Sequence, residues 1–277
     1  MINKNSLQHI EKSRKIIMQE ENFAYILPCN RLKSFISNFT ITFPNLHIIS
    51  DAYSIMPHGS VTMVLFYYME ELHSFLFGPT TKPIQVGSLA NQCDIIFIVE
   101  FQPAGFSPFT KINQKELTDQ IIPFSFIDQP LDIELKNILW SSNDINVLLN
   151  CMEQKLLESI LFPYPKELGL AIQMIIEKEG SIASSEVSKQ TFYCQRHLNR
   201  LFNLYIGMSM KSFSRLVRIN KSIRLLNEKE NTLDTICEKL EYYDVSHFIK
   251  DFKKVCEITP QEYKNNMSHF YNEIAKF

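Results

Sequence analysis

Residues 244–264 of the sequence read DVSHFIKDFKKVCEITPQEYK. At helical spacing, its apolar residues fall on one face and its polar or basic residues on the other. The apolar face is Val245, Phe248, Phe252 and Val255, and the opposite face is Ser246, His247, Lys250, Lys253 and Lys254. Asp244 is predicted to cap this helix, because a short acidic side chain accepts hydrogen bonds from the first free backbone amides. The stretch therefore predicts an amphipathic helix with a basic exposed face.

A further helix is predicted directly after the first one. Thr259 is suited to the N-cap, Pro260 to the first helical position, and Glu262 stands three residues after Thr259. This spacing is a capping box, in which the two side chains bond to each other's backbone amides.

The same plan occurs upstream in CQRHLNRLFNLYIG, residues 194–207, where Gly207 is predicted to end the helix. Its apolar face is Leu198, Leu201, Phe202 and Tyr205, and its polar face is Gln195, Arg196, Asn199, Arg200 and Asn203. A shorter helical segment precedes each polar-faced helix, at Ala183 to Gln190 and at Thr232 to Leu240. This arrangement predicts two helix-turn-helix units.

A single long helix is predicted between the two units, in KSFSRLVRINKSIRLLNEK, residues 211–229. At about 1.5 Å per residue it spans roughly 28 Å. Successive major-groove faces of B-DNA lie about 34 Å apart. A helix of this length is expected to hold two recognition helices in adjacent grooves on one side of a duplex.

The region from about Ile182 to Lys264 resembles the DNA-binding domain of AraC/XylS-type bacterial transcription regulators. The matching stretches, in order, are RHLNRLF, GMSMKSFSRLVRINKSIRLL, TICEKLEYYDVSHFIKDFKK and TPQEYK. Three places depart from the family pattern: Glu241-Tyr242 replaces Gly-Phe, Glu257 replaces Gly before the TP element, and Cys194 replaces a Ser cap. A non-glycine residue in a left-handed turn costs about 1 kcal/mol, so we expect a functional but less stable domain.

Carried over residue by residue, the resemblance implies base reading by the two polar faces. The expected base-reading residues are Gln195, Arg196, Asn199, Arg200, Ser246, His247 and Lys250. Arg and Lys donate to guanine O6 and N7, and Asn pairs with adenine N6 and N7. The candidate phosphate contacts are Lys211, Arg215, Lys254 and Gln261, the last at the amide-rich start of a helix. Arg218 and His197 are instead expected to pack within the domain.

Proline content and charge both change near residue 163. Eleven of the twelve prolines lie before residue 166. Residues 1–162 carry 11 Lys/Arg and 16 Asp/Glu, a net charge of -5, whereas residues 163–277 carry 17 and 14, a net charge of +3. We therefore expect a regulatory domain over 1–162 and a DNA-binding domain over 163–277, the second with a polyanionic partner.

The first of these domains is expected to be rich in β-strands. Strands are predicted in NFAYILP, FISNFTITF, SVTMVLFYY, HSFLF and IIFIVEF, followed by helices at Ile133 to Leu139 and Ile145 to Leu161. FIVEFQPAGFSPFTKINQKELTDQIIPF, residues 97–124, resembles the end of the sensory domain of some of these regulators. The predicted fold class is α+β: a β-barrel-like or sandwich-like sensory domain with helices, then an all-α domain with two helix-turn-helix units joined by a long helix.

Enzymatic and membrane functions are not favoured by the sequence. The apolar runs are too short to cross a bilayer, and the start has no signal-peptide core, so a cytoplasmic protein is expected. His47, His58 and His73 lack the His-x-His pattern of a cupin metal site, and Cys29, Cys93 and Cys151 are too scattered for the zinc cluster of a DNA-repair alkyltransferase. We expect no catalytic site, metal or cofactor.

The sequence thus predicts a transcription regulator that binds double-stranded promoter DNA. The resemblance implies an activator that contacts RNA polymerase. A homodimer and a small-molecule effector of the N-terminal domain are also expected. The alternative is a constitutive DNA-binding regulator whose N-terminal domain only dimerises and binds no effector.

Overall fold

The computed structural model describes residues 1–44, 54–85, 88–228 and 230–266. An antiparallel sheet occupies most of the first part of the chain, and helices make up the rest. The strands are β1 Ile16–Gln19, β2 Phe23–Ile26, β3 Ile36–Thr42, β4 Ser54–Ile55, β5 Thr62–Tyr68, β6 Glu71–Phe77, β7 Ile84–Gln85, β8 Ile95–Phe101 and β9 Ile121–Pro123.

Seven strands form one sheet in the order β1-β2-β3-β8-β5-β6-β9, with every neighbouring pair antiparallel. The two short strands β4 and β7 pair with each other separately. Among the described residues the edge strands β1 and β9 do not meet, so the sheet is open. The predicted fold class is confirmed, and it takes the form of an open sheet and not a closed barrel.

The five predicted strands correspond to β2, β3, β5, β6 and β8. Strand β8 lies inside the sheet between β3 and β5, and six of its seven residues are buried. Because both faces are covered, its first five residues, Ile95 to Val99, form a continuous apolar run that does not alternate. Phe39, Phe97 and Phe101 are fully buried in this core, so these aromatic residues serve packing.

The α-helices among the described residues of the first part are α1 Gln114–Leu117, α2 Gln129–Ser141 and α3 Ile145–Glu158. Asp128 caps α2 by accepting from the Leu131 amide, and Asp144 caps α3 by accepting from two amides of its first turn. Helix α2 packs on β6 and α3, and α3 also contacts the 3-10 helix Lys4–His9. Both predicted amphipathic helices are therefore present.

In the described residues after 163, seven helices follow, and they include all those predicted for the C-terminal part. They are α4 Lys166–Glu177, α5 Ser184–Thr191, α6 Gln195–Tyr205, α7 Met210–Asn227, α8 Leu233–Lys239, α9 Val245–Cys256 and α10 Pro260–Asn266. The predicted capping box before α10 is formed: the Glu262 amide donates to Thr259 Oγ1 at 3.2 Å, and the Thr259 amide donates to Glu262 Oε2 at 2.7 Å.

The buried apolar residues form two cores. One spans Ile2 to Leu156 under the sheet and α2–α3, and the other is made mainly by Leu168 to Tyr263. Two residues of the first part, Met56 and Ala104, join the second core. The two parts of the chain are thus packed together. No helix among the described residues is long and apolar enough to cross a membrane.

Candidate nucleic-acid interface

Helices α5 and α6 form the first helix-turn-helix unit, called the first unit below. Leu198, Leu201 and Phe202 are buried on one face of α6, as the apolar spacing predicts. Gln195, Arg196 and Arg200 are exposed on the other face. No acidic residue occurs in α6, so this face offers phosphate no repelling charge.

Asn199 differs from the other predicted base-reading residues of α6. It is half-buried, and its side-chain oxygen accepts a hydrogen bond from the Met210 amide at 3.1 Å. This bond satisfies a free amide at the start of α7. Pairing with adenine needs both polar atoms of an Asn side chain. Because one of them is engaged in the fold, the geometry favours a structural role for Asn199.

Helices α8 and α9 form the second unit. The Asp244 side chain accepts from the His247 amide at 2.6 Å and caps α9, as predicted. Phe248, Phe252 and Val255 are buried. The exposed residues of the helix are Ser246, His247, Lys250, Lys253 and Lys254. The predicted basic face is therefore turned to solvent.

The acid of α9, Asp251, is paired with a cation within the domain. Arg215 Nε donates to Asp251 Oδ1 at 2.7 Å, and the Tyr242 hydroxyl donates to Oδ2 at 3.4 Å. Burial, with a smaller contribution from Asp251, raises the pKa of Tyr242 above its ordinary value, so this phenol stays a neutral donor. Arg215 therefore links α7 to α9, and this geometry does not favour the phosphate contact expected of it.

The other candidate phosphate contacts, Lys211, Lys254 and Gln261, are exposed. Lys211 lies in the first turn of α7 and Lys254 in the last turn of α9. The Gln261 side chain donates to Asn265 Oδ1 at 3.0 Å within α10. The two lysines are thus free to meet an anion, whereas Gln261 already has a partner.

At the ends of α5, α8 and α9, three non-glycine residues have left-handed backbone. Glu241 and Glu257, which stand where the family has glycine, have φ angles of 56° and 62°. The backbone at both positions keeps the left-handed turn although glycine is replaced by glutamate. The fold therefore bears the energetic cost of a side chain in that conformation. Phe192 has the same conformation, with φ of 61°, and sequence reasoning missed it.

The two residues expected to pack within the domain do so. Arg218 Nη2 donates to the Gly180 carbonyl at 2.8 Å, and its guanidinium lies 5.2 Å from the centre of the Tyr242 ring. His197 is half-buried, stacks on Tyr193 at 5.1 Å and lies 3.5 Å from a Glu167 oxygen. These contacts stabilise the C-terminal part around the two units.

The sheet part contacts the first unit and α7 directly, which the sequence did not indicate. The Thr118 hydroxyl, just after α1, donates to the Gly207 carbonyl at 3.0 Å. Buried Asn220 of α7 donates through Nδ2 to the Pro57 carbonyl at 2.8 Å. These bonds join residues 89 and 163 positions apart, so no local pattern reveals them.

The histidines considered for a metal site have other surroundings. His58 is buried with Nδ1 2.9 Å from Ser60 Oγ, and His73 stacks on Phe66. His47 lies outside the described residues. Within the described ranges, no three His, Cys, Asp or Glu side chains converge on a point that suits a metal ion.

The helix pattern agrees with comparisons to known protein families. Residues 187–266 match a family model described as a helix-turn-helix domain. Residues 187–266 are therefore an AraC-type helix-turn-helix domain. Residues 24–123 match a second model, described as a domain of unknown function (DUF6597).

Two relatives have similar sequences. A lactose operon transcription activator of Staphylococcus xylosus is 22% identical over 201 residues, which cover 61% of this chain and 72% of the relative. An uncharacterized HTH-type transcriptional regulator of Haemophilus influenzae is 26% identical over 127 residues, or 45% of this chain and 43% of the relative. The AraC-type domain is that of a DNA-binding transcription regulator.

Among solved structures, ToxT from Vibrio cholerae is similar over much of its length. One crystal form has a TM-score of 0.42 and 12% identity, covering 78% of this chain and 95% of ToxT. A structure of fatty acid-bound ToxT has a TM-score of 0.40 and 13% identity, covering 91% and 98%.

Proposed function

We propose that the protein activates transcription by placing α6 and α9 in successive major grooves of promoter DNA. The observation that carries this proposal is that each helix buries its apolar face and exposes a basic one, and that Asp251 is neutralised by Arg215. Helix α7, with 18 residues, is about 27 Å long. That length suits two helices entering grooves about 34 Å apart on one face of the duplex.

The proposed base-reading residues are the exposed polar ones of α6 and α9. They are Gln195, Arg196, Arg200, Ser246, His247 and Lys250. Lys211 and Lys254 are proposed to contact phosphate. Each Arg or Lys is a donor of the kind that reads guanine, and each phosphate contact adds affinity that falls with salt.

The N-terminal part is proposed to control the first unit through the Thr118–Gly207 and Asn220–Pro57 bonds. A ligand or partner that favours one arrangement of the sheet part would then bias the position of α6. Residues 1–162 and 163–277 are proposed as the regulatory and DNA-binding domains. A homodimer that recruits RNA polymerase completes the proposal. The Staphylococcus xylosus relative is named an activator, which supports activation of transcription over repression.

The alternative function is a constitutive regulator whose N-terminal domain binds no effector. The close packing of Phe39, Phe97 and Phe101 favours it, because these rings are fully buried in the core of the sheet part. Thermal stabilisation by a metabolite would decide against this alternative.

The test of DNA recognition is selection of duplexes from a random pool at near-physiological salt. Wild type is expected to enrich two motifs about one helical turn apart. Arg200→Ala should relax one motif and Lys250→Ala the other, with specific affinity reduced by about 1–3 kcal/mol each. Lys12→Ala, an exposed lysine of the N-terminal part, is the matched control and should leave both motifs unchanged. Absence of any enriched motif would contradict the proposal.

A further inference from the structure

Two aromatic side chains stand almost entirely in solvent, one in the turn of each helix-turn-helix unit. Phe192 is 94% exposed and Tyr243 is 93% exposed. Among the residues that the structure describes, they are the two most exposed large hydrophobic side chains. Because burial is what stabilises large apolar side chains, packing within the chain does not account for an aromatic residue at either turn.

Both aromatic residues lie at the N-terminal end of a proposed recognition helix. Phe192 stands two residues before Cys194, the N-cap of α6, and Tyr243 directly precedes Asp244, the N-cap of α9. In helix-turn-helix proteins it is the N-terminal residues of the recognition helix that reach base edges. The two rings therefore lie at the end of each helix that approaches the groove.

The fold gains little from Phe192. Its φ of 61° lies in the left-handed region, where a side chain is strained and glycine is favoured. Its ring is exposed, so no burial of apolar surface offsets the energetic cost of that strain. Strained residues that packing does not explain are concentrated at functional sites.

The surroundings of both rings favour DNA over a protein partner. Arg196 and Arg200 are exposed on α6, and Lys250 is exposed on α9. Each ring thus lies at the start of a helix whose exposed face carries basic and polar side chains. Such a face suits a polyanion with apolar groups at its groove edge. The thymine methyl group is such an apolar group, and it projects into the major groove.

We propose that Phe192 and Tyr243 contact thymine methyl groups at the edges of the two major grooves that α6 and α9 enter. The proposal rests on the proposed DNA-binding function and adds an apolar element to its specificity. Each ring supplies an apolar surface that polar base-reading residues lack. The promoter half-sites are therefore expected to contain a thymine next to each base-reading region.

The test begins with two variants assayed on the selected duplex by fluorescence anisotropy. Phe192→Gly should bind about fivefold more weakly, because an apolar contact of this size is lost. The same variant should unfold at a higher temperature, by about 2 °C, because glycine relieves the left-handed strain. Tyr243→Ala should also bind about fivefold more weakly. Phe126→Ala, a 79% exposed aromatic residue of the N-terminal part, is the matched control and should bind like wild type.

The second measurement replaces single thymines by deoxyuridine, which removes only the methyl group. The affinity of the wild type should fall by about the same fivefold when one particular thymine in each half-site is replaced. The Phe192→Gly variant should show no further fall in affinity when the thymine contacted by Phe192 is replaced, since the contact is already absent. Losses that simply add would overturn the thymine contact.

The remaining outcomes separate this inference from the function on which it rests. If wild type binds no duplex, the proposed function fails. If wild type binds and the variants bind equally well, the function stands and the aromatic contact is wrong. Normal DNA binding with lost transcriptional activation would assign the rings to a protein partner and overturn the inference. Weaker binding of Phe192→Gly with a lower unfolding temperature would show a structural role and also overturn it.

Discussion

The first unit lies against the N-terminal part of the chain, whereas the second unit is held by contacts within the C-terminal part. Helix α6 contacts α1, and Gly207 after it accepts a hydrogen bond from Thr118. Helix α9 packs on α7, α8 and α10, and its Asp251 pairs with Arg215. A change in the sheet part can therefore act directly on α6, and on α9 through α7.

The two units also differ at the start of their exposed helices. Asp244 caps α9 with a side-chain hydrogen bond, but Cys194 makes no such bond at the start of α6. The second unit thus carries its own local stabilisation. The first unit depends more on contacts with the rest of the protein.

The largest effect is expected from Gly207→Ala, which acts where the first unit meets the N-terminal part. Gly207 has a φ of 89°, and an added Cβ would lie 2.4 Å from Thr118 Oγ1 and 2.8 Å from the Gln114 carbonyl oxygen. The free energy of unfolding should fall by about 2–4 kcal/mol, because backbone strain and a steric clash combine. Urea denaturation measures this change.

The matched control for Gly207 is Gly169→Ala, in α4. The nearest atom to its added Cβ would be Tyr164 Cε2 at 3.3 Å. Its effect should stay within about 1 kcal/mol in either direction, since alanine favours the helix while the contact is tight. Equal effects at the two glycines would mean that the contact with the N-terminal part does not constrain the first unit.

The next largest effect is expected from Asp251→Asn in the second unit. This substitution removes the charge that pairs with Arg215. Both side chains are largely buried, with exposed fractions of 14% for Asp251 and 25% for Arg215. Loss of the pair leaves a partly desolvated guanidinium, so stability should fall by about 1–2 kcal/mol. Thermal unfolding monitored by circular dichroism measures it.

The control for Asp251 is Glu21→Gln, which breaks the exposed Lys4–Glu21 pair. An ion pair in solvent contributes little, so the unfolding temperature should hardly change. A similar loss at both sites would show that burial does not strengthen the Arg215–Asp251 pair.

The difference in N-caps between the two units predicts smaller changes in stability, a gain in the first unit and a loss in the second. Cys194→Ser supplies the missing hydroxyl acceptor at the start of α6, and should raise stability by about 1 kcal/mol. Asp244→Ala should lower it by about the same amount by removing the cap of α9. If Cys194→Ser gives no gain while Asp244→Ala costs stability, the first unit is not limited by its cap.

Local patterns in the sequence predicted the helices of both units but not the contacts between distant residues. Apolar spacing, Asp244 and the Thr259–Glu262 capping box depend on neighbours within a few positions, so they are visible in the sequence. The strands β4, β7 and β9 were missed because they have only two or three residues, and β1 because none of its four residues is buried. Too few residues are present in them for a period to be recognised.

The features of the candidate site that the sequence did not predict have a similar cause. The Asn199–Met210 and Arg215–Asp251 bonds depend on how separate helices pack, and helical spacing alone left both side chains free to meet DNA. The resemblance placed glycine at residues 241 and 257, and the structure keeps the left-handed backbone at both. A turn geometry can thus persist after its favoured residue is replaced.

The smallest predicted effect comes from Glu257→Gly, at the end of α9. Glycine should relieve a left-handed strain of about 1 kcal/mol but adds entropy to the unfolded chain, leaving a net gain of about 0.5 kcal/mol. Glu257→Ala is the control, because it removes the same carboxylate and keeps the strain. Chemical denaturation of both variants separates the two contributions. A gain shared by both would assign the effect to the lost charge, whereas a gain for glycine alone would show that the second unit tolerates strain at its end.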